Sequence, residues 1–136
     1  MIPGIERIEH GDCVRAMVIR SSVKPDQTEF LTPGDAPFQL GFICYPEGHK
    51  IPPHRHLPVS RALESTSEVL LVRSGRVRVQ FYDRDSLEVA STLLEPGDVL
   101  LHLQGGHGFE MLEDAVLLEL KQGPYAGTMD KEPLFS

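Results

Sequence analysis

Apolar positions along the chain recur in short runs, several of them at every second residue, and no window of twelve or more residues carries the three-to-four spacing of an amphipathic helix. Val14–Arg20 is rich in β-formers, and Phe38–Tyr45 follows the turn Pro33-Gly34-Asp35. Glu68–Arg73 leads into Ser74-Gly75, and Arg76–Tyr82 leads out with strict alternation, so this pair predicts a β-hairpin. Val99–Leu101 and Ala115–Leu120 follow the breaks Glu95-Pro96-Gly97-Asp98 and Glu113-Asp114. Leu57–Ser67 has room for one helical turn. Twelve glycines and eleven prolines cut the chain into pieces of strand length. Many short strands with turn residues between them predict an all-β sandwich or barrel. The polar stretch 123–136, punctuated by Pro and Gly, is expected to lie over the surface or a barrel mouth.

The length of 136 residues fits one domain with a core of its own. A composition of 40% apolar and 24% charged residues is that of a soluble globular chain rather than a disordered one. The net charge of −7, with no Lys/Arg stripe to offset it locally, argues against a nucleic-acid or anionic-membrane partner. No apolar run reaches the roughly 18 residues a membrane helix needs. Met1–Arg7 lacks a basic region followed by an apolar stretch, so a cytoplasmic protein is expected, with Cys13 and Cys44 as reduced thiols.

Chemistry concentrates in the histidines. His54 and His56 stand two apart, and on a strand such residues project from one face, as two ligands of one metal must. Pro52 and Pro53 hold the backbone before them extended. A pair of solvated loop histidines would give the same pattern. Glu68 opens an apolar strand and shares a face with Leu70 and Val72, where a carboxylate must be paired or metal-bound. His107 shares a face with Phe109 and Met111. Three imidazoles and a carboxylate suit one divalent transition metal (Fe, Mn, Ni, Co, Cu or Zn) with positions open to water or a ligand.

Gly48…His54-Arg55-His56…Glu68, six residues and then Gly75, followed by Pro96-Gly97-Asp98…His107-Gly108-Phe109, resembles the two signature motifs of the cupin superfamily over residues 38 to 122. The resemblance implies a double-stranded β-helix, or jelly-roll barrel, spanning 1–136. Residues 1–37 would supply N-terminal strands and 123–136 a tail. It also implies that His54, His56, Glu68 and His107 converge on the metal. Eleven residues separate His56 from Glu68, more than the family usually has, so Leu57–Ser67 reads as an insertion and Glu64 as a rival carboxylate. The second motif lacks the usual Pro before its His, and Met111 stands where an Asn is usual. His102, at the end of the Val99–Leu101 strand, is expected at the rim, where it or Glu64 could move protons. His49 reads as a solvated loop residue, and His10 is given no role.

Cupins include oxygenases, isomerases, epimerases and binders, so function rests on the lining of the mouth. Arg61, Lys121 and Tyr125 are candidate substrate contacts, with Arg55 and Gln122 near them. Ser60, Ser65, Thr66 and Ser67 could supply hydroxyl contacts, and Leu57–Ser67 could gate the metal. The ending Lys121–Tyr125 with Asp130-Lys131 is similar to short stand-alone cupins that accompany surface-polysaccharide biosynthesis. That implies a carbohydrate or nucleotide-sugar ligand and isomerase-like or dioxygenase-like chemistry. A metal-dependent binding module without turnover, or a barrel serving in assembly, are the alternatives. Val69, Leu71, Leu117 and Ile43, apolar on outward faces, predict a homodimer.

Overall fold

The computed structural model describes residues 2–135 and contains ten β-strands and no α-helix among them. In chain order the strands are β1 (Ile5–His10), β2 (Cys13–Ile19), β3 (Glu29–Phe30), β4 (Gly41–Phe42), β5 (Glu68–Ser74), β6 (Val77–Tyr82), β7 (Glu88–Leu94), β8 (Val99–His102), β9 (Gly106–Met111) and β10 (Val116–Lys121). One 3-10 turn, Gly127–Met129, follows. The chain divides into two compact units, one of Met1–Val23 with Ser65–Ser136, the other of Lys24–Glu64.

The first unit holds two antiparallel sheets, ordered β1-β2-β8-β5-β10 and β7-β6-β9. Strand alternation turns one face of each toward a shared core. Ala16 and Val18 of β2, Leu70 and Val72 of β5 and Leu100 of β8 pack with Val77, Val79 and Phe81 of β6 and Leu94 of β7. Among the described residues no ladder joins the outer strands of the two sheets into a closed barrel. The second unit holds the short ladder β3-β4, where a Cβ on Gly41 would lie 2.8 Å from the Glu29 carbonyl oxygen. Only Gly41–Phe42 of the expected Phe38–Tyr45 strand is regular.

The expected hairpin between Glu68–Arg73 and Arg76–Tyr82 is corrected by the ladders: β5 pairs with β8 and β10, whereas β6 pairs with β7 and β9. Gly75 is the corner where the chain leaves one sheet for the other. Its φ is +82°, and a Cβ there would stand 2.7 Å from the Ala115 Cα, so only glycine fits. A two-residue turn and a sheet-to-sheet corner need the same residue type, so the sequence does not separate them.

Pro96-Gly97-Asp98 is a structural knot. The buried Asp98 carboxylate accepts from the Ser21 N–H (2.8 Å), the Glu95 N–H (2.9 Å) and the Arg20 guanidinium (3.0 Å). Arg20 also reaches Glu6 and the Thr92 hydroxyl, tying β1, β2 and β7 to this turn. Contact with Glu6, partly opposed by burial, holds the Arg20 pKa above its ordinary value, so the charge on this knot is fixed.

Candidate metal centre

Glu68 opens β5 and His102 closes β8, and the antiparallel register sets them opposite one another. Each continues the inward face of its strand, Glu68 after Leu70 and Val72, His102 after Leu100. His107 comes from β9 of the other sheet, opposite Phe81. The ligand atoms of Glu68, His102 and His107 all lie within 4.8 Å of one another. The His102 and His107 ring centroids are 3.9 Å apart, and His107 Nε2 is 3.6 Å from Glu68 Oε2. Two atoms that share a metal at about 2.1 Å stand roughly 3–4 Å apart, so these separations close onto an ion with small side-chain movements. Phe81 and Phe109 form the apolar surround.

Burial sets the electrostatics. His102 is 4% exposed, and neither of its ring nitrogens has a hydrogen-bond partner. Burial, then the neighbouring His107 and Arg15, push its pKa down to about 3, against the Gly105 backbone, which lies near but makes no hydrogen bond of good geometry to the ring. Burial also lowers the pKa of His107, against the pull of Glu119, and the His107 Nδ1 is likewise buried without a partner. Burial, then the Glu119 carboxylate, raise the pKa of Glu68. Burial thus disfavours the charged form of each group, and with the His107 pKa below its ordinary value the 3.6 Å approach of Glu68 to His107 is not an ion pair at neutral pH. Neutral imidazoles keep the lone pairs that a metal uses, and a cation would hold Glu68 ionised.

Orphaned nitrogens on a buried ring are costly, because a polar group away from water normally finds a partner. An imidazole cannot satisfy itself against Phe81. A metal ion would take the lone pair of one of the two nitrogens, so the residues fit the group. Two imidazoles and one carboxylate form the set used by mononuclear iron sites and by zinc hydrolases.

His54 and His56 lie in the second unit and are not members of this group. The strand expected to carry them is absent, since residues 49–63 have no regular structure, and both side chains are exposed. Two prolines without a neighbouring ladder give an extended segment, not a strand. The His54 ring lies 5.4 Å from that of His56, and its Nδ1 is 2.9 Å from the Pro52 carbonyl oxygen. That carbonyl can only accept, so Nδ1 is the donor in this contact. His49 stacks on Tyr45 at 3.9 Å.

Leu57–Glu64 is exposed and irregular, without the helical turn, and it includes both Arg61 and Glu64. Ser67 is fully buried: its N–H donates to Gln122 Oε1 and its hydroxyl to the Leu103 carbonyl oxygen, so it offers nothing to a ligand. Lys121 is the register partner of Glu68, and Tyr125 is 86% exposed. Cys13 and Cys44 are free. His102, expected at the rim, is instead buried at the centre of the group. Its alternation with Leu100 was the signal, since two residues apart on β8 share the inward face.

No protein-family model matches the chain, and neither a curated protein nor a solved structure is significantly similar to it.

Proposed function

We propose that this chain binds one divalent transition metal through Glu68, His102 and His107 and presents it to a small polar molecule. The observation that carries the reading is His102, a buried imidazole with two unpartnered nitrogens facing a second imidazole and a carboxylate. When bound, the metal would supply a Lewis acid with open coordination positions, for polarising an oxygen of a ligand or for oxygen chemistry. The chain's own contribution is to hold two imidazoles and one carboxylate together, with His102 buried against Phe81 and His107 against Phe109. Lys121, beside Glu68, is the cation best situated to orient an anionic ligand.

The cupin reading is a further proposal, supported by the order of the motifs and by an all-β unit of two sheets that contains Glu68 and His107. A ligand of carbohydrate or nucleotide-sugar type, and isomerase-like or dioxygenase-like turnover, belong to that reading. A binding module without turnover uses the same site. No helix among the described residues is long and apolar enough to cross a membrane.

Elemental analysis of the purified protein tests the metal site. We expect close to one transition metal per chain, and His102→Ala and Glu68→Gln each to weaken its retention by about tenfold or more. Full occupancy in both variants would remove the assignment. Incubation of the loaded protein with oxygen and candidate sugars then separates an oxygenase from an isomerase or a binder.

A further inference from the structure

The tail from 123 to 135 is tied down around the metal group rather than lying free. Asp130 accepts a hydrogen bond from the Thr66 hydroxyl at 3.1 Å, and its other oxygen lies 3.6 Å from Lys121 Nζ. Thr66 stands two residues before Glu68, and Lys121 is the register partner of Glu68. Beyond Asp130 the tail docks twice more. Leu134 lies against Gly106, where a Cβ would stand 2.8 Å from its Cδ1, and Phe135 packs edge-on to Tyr82 with ring centroids 5.7 Å apart. Gly106 is the residue before His107. Each anchor is therefore a near neighbour of a residue of the metal group.

The Asp130 carboxylate occupies a position that any small anion could fill. A hydroxyl donor and an ammonium converge on it, and the side chains are only 19% exposed for Asp130 and 27% for Lys121. Removing the carboxylate leaves the Thr66 hydroxyl without its acceptor and Lys121 with Glu68 as its remaining carboxylate neighbour. Along the same tail, Tyr125, Thr128, Lys131, Glu132 and Pro133 line a cavity of ≈ 650 Å³. Lys131 and Glu132 bring one charge of each sign to its wall.

We propose that Thr66 and Lys121 form a subsite for the carboxylate or phosphate group of a small ligand, and that Asp130 fills it as an internal stand-in until the ligand displaces it. The ligand class deepens the metal-site reading, and the inference rests on that reading only for what the rest of the ligand would meet. Displacement would free the tail at its middle anchor while Leu134 and Phe135 hold its end.

Calorimetric titration with inorganic phosphate tests the subsite, with metal content measured on the same samples. Asp130→Asn keeps the shape and removes the competing charge. It should bind phosphate about tenfold or more tighter than the wild-type chain, the scale of one hydrogen bond to a charged group. Adding Lys121→Gln, or separately Thr66→Val, to that variant should erase the gain. A gain in metal-free protein keeps the subsite even where metal analysis fails. Phosphate affinity unchanged in Asp130→Asn protein that retains its fold and its metal would overturn the subsite and leave the metal site standing. A gain that survives both added substitutions would also overturn it.

Discussion

His102 is a residue whose surroundings fit poorly without a partner. In the metal-free chain its pKa is about 3, whereas an unfolded histidine titrates near 6.5. Below pH 6.5 the unfolded chain therefore takes up a proton that the folded chain refuses. The folded state loses stability as pH falls from 6.5 toward 3, at no more than about 1.4 kcal/mol per pH unit. Glu68, with its pKa raised, has the opposite sign: its contribution is present at low pH and is lost as pH rises above the ordinary carboxylate range. Comparing the wild-type chain with His102→Gln isolates the histidine. Urea unfolding of both metal-free proteins at pH 7 and pH 4.5 should show the larger acid loss in the wild type, and equal losses would mean that His102 is not held neutral by burial.

At the scale of elements, the corner at Gly75 and the knot at Asp98 fix how the sheets connect. Gly75→Ala must adopt a left-handed backbone against the Ala115 Cα, and should cost about 2 kcal/mol or more. Asp98→Ala removes one acceptor shared by three donors and leaves Arg20 without its buried partner, a loss on the order of 3–5 kcal/mol. Thermal melts check both, and a change within about 0.5 kcal/mol at either position would contradict its role. The same elements explain what was legible in the sequence. β2, β5, β6, β8 and β10 lie within a residue or two of the apolar runs, because burial of one face imposes alternation. β1 (Ile5-Glu6-Arg7-Ile8-Glu9-His10) and β7 were not visible, since β1 keeps only Ile5 buried and β7 only Leu94. Pairing was not legible either, because the Gly75 corner resembles a hairpin turn. In the candidate site, Glu68 and His107 were legible as polar residues on apolar faces. The partnership of His102 depends on a ladder that sets it opposite Glu68, 34 residues away in sequence, which local pattern does not carry.

At the scale of the whole molecule, the homodimer remains a proposal with a defined surface. Leu117, expected on the outward face, packs against the core instead; the exposed leucines of the edge strand β10, whose unpaired side could meet a second copy, are Leu118 and Leu120, 49% and 53% exposed. Sedimentation at micromolar concentration should give a dimer, and a Leu118→Lys, Leu120→Lys variant a monomer; a wild-type monomer would exclude it. The central claim concerns the metal, and the measurement that tests it most directly is anomalous diffraction from crystals of the metal-loaded chain. The account predicts one peak within bonding distance of Glu68, His102 and His107. No peak there, or a peak held by His54 and His56 alone, would contradict it.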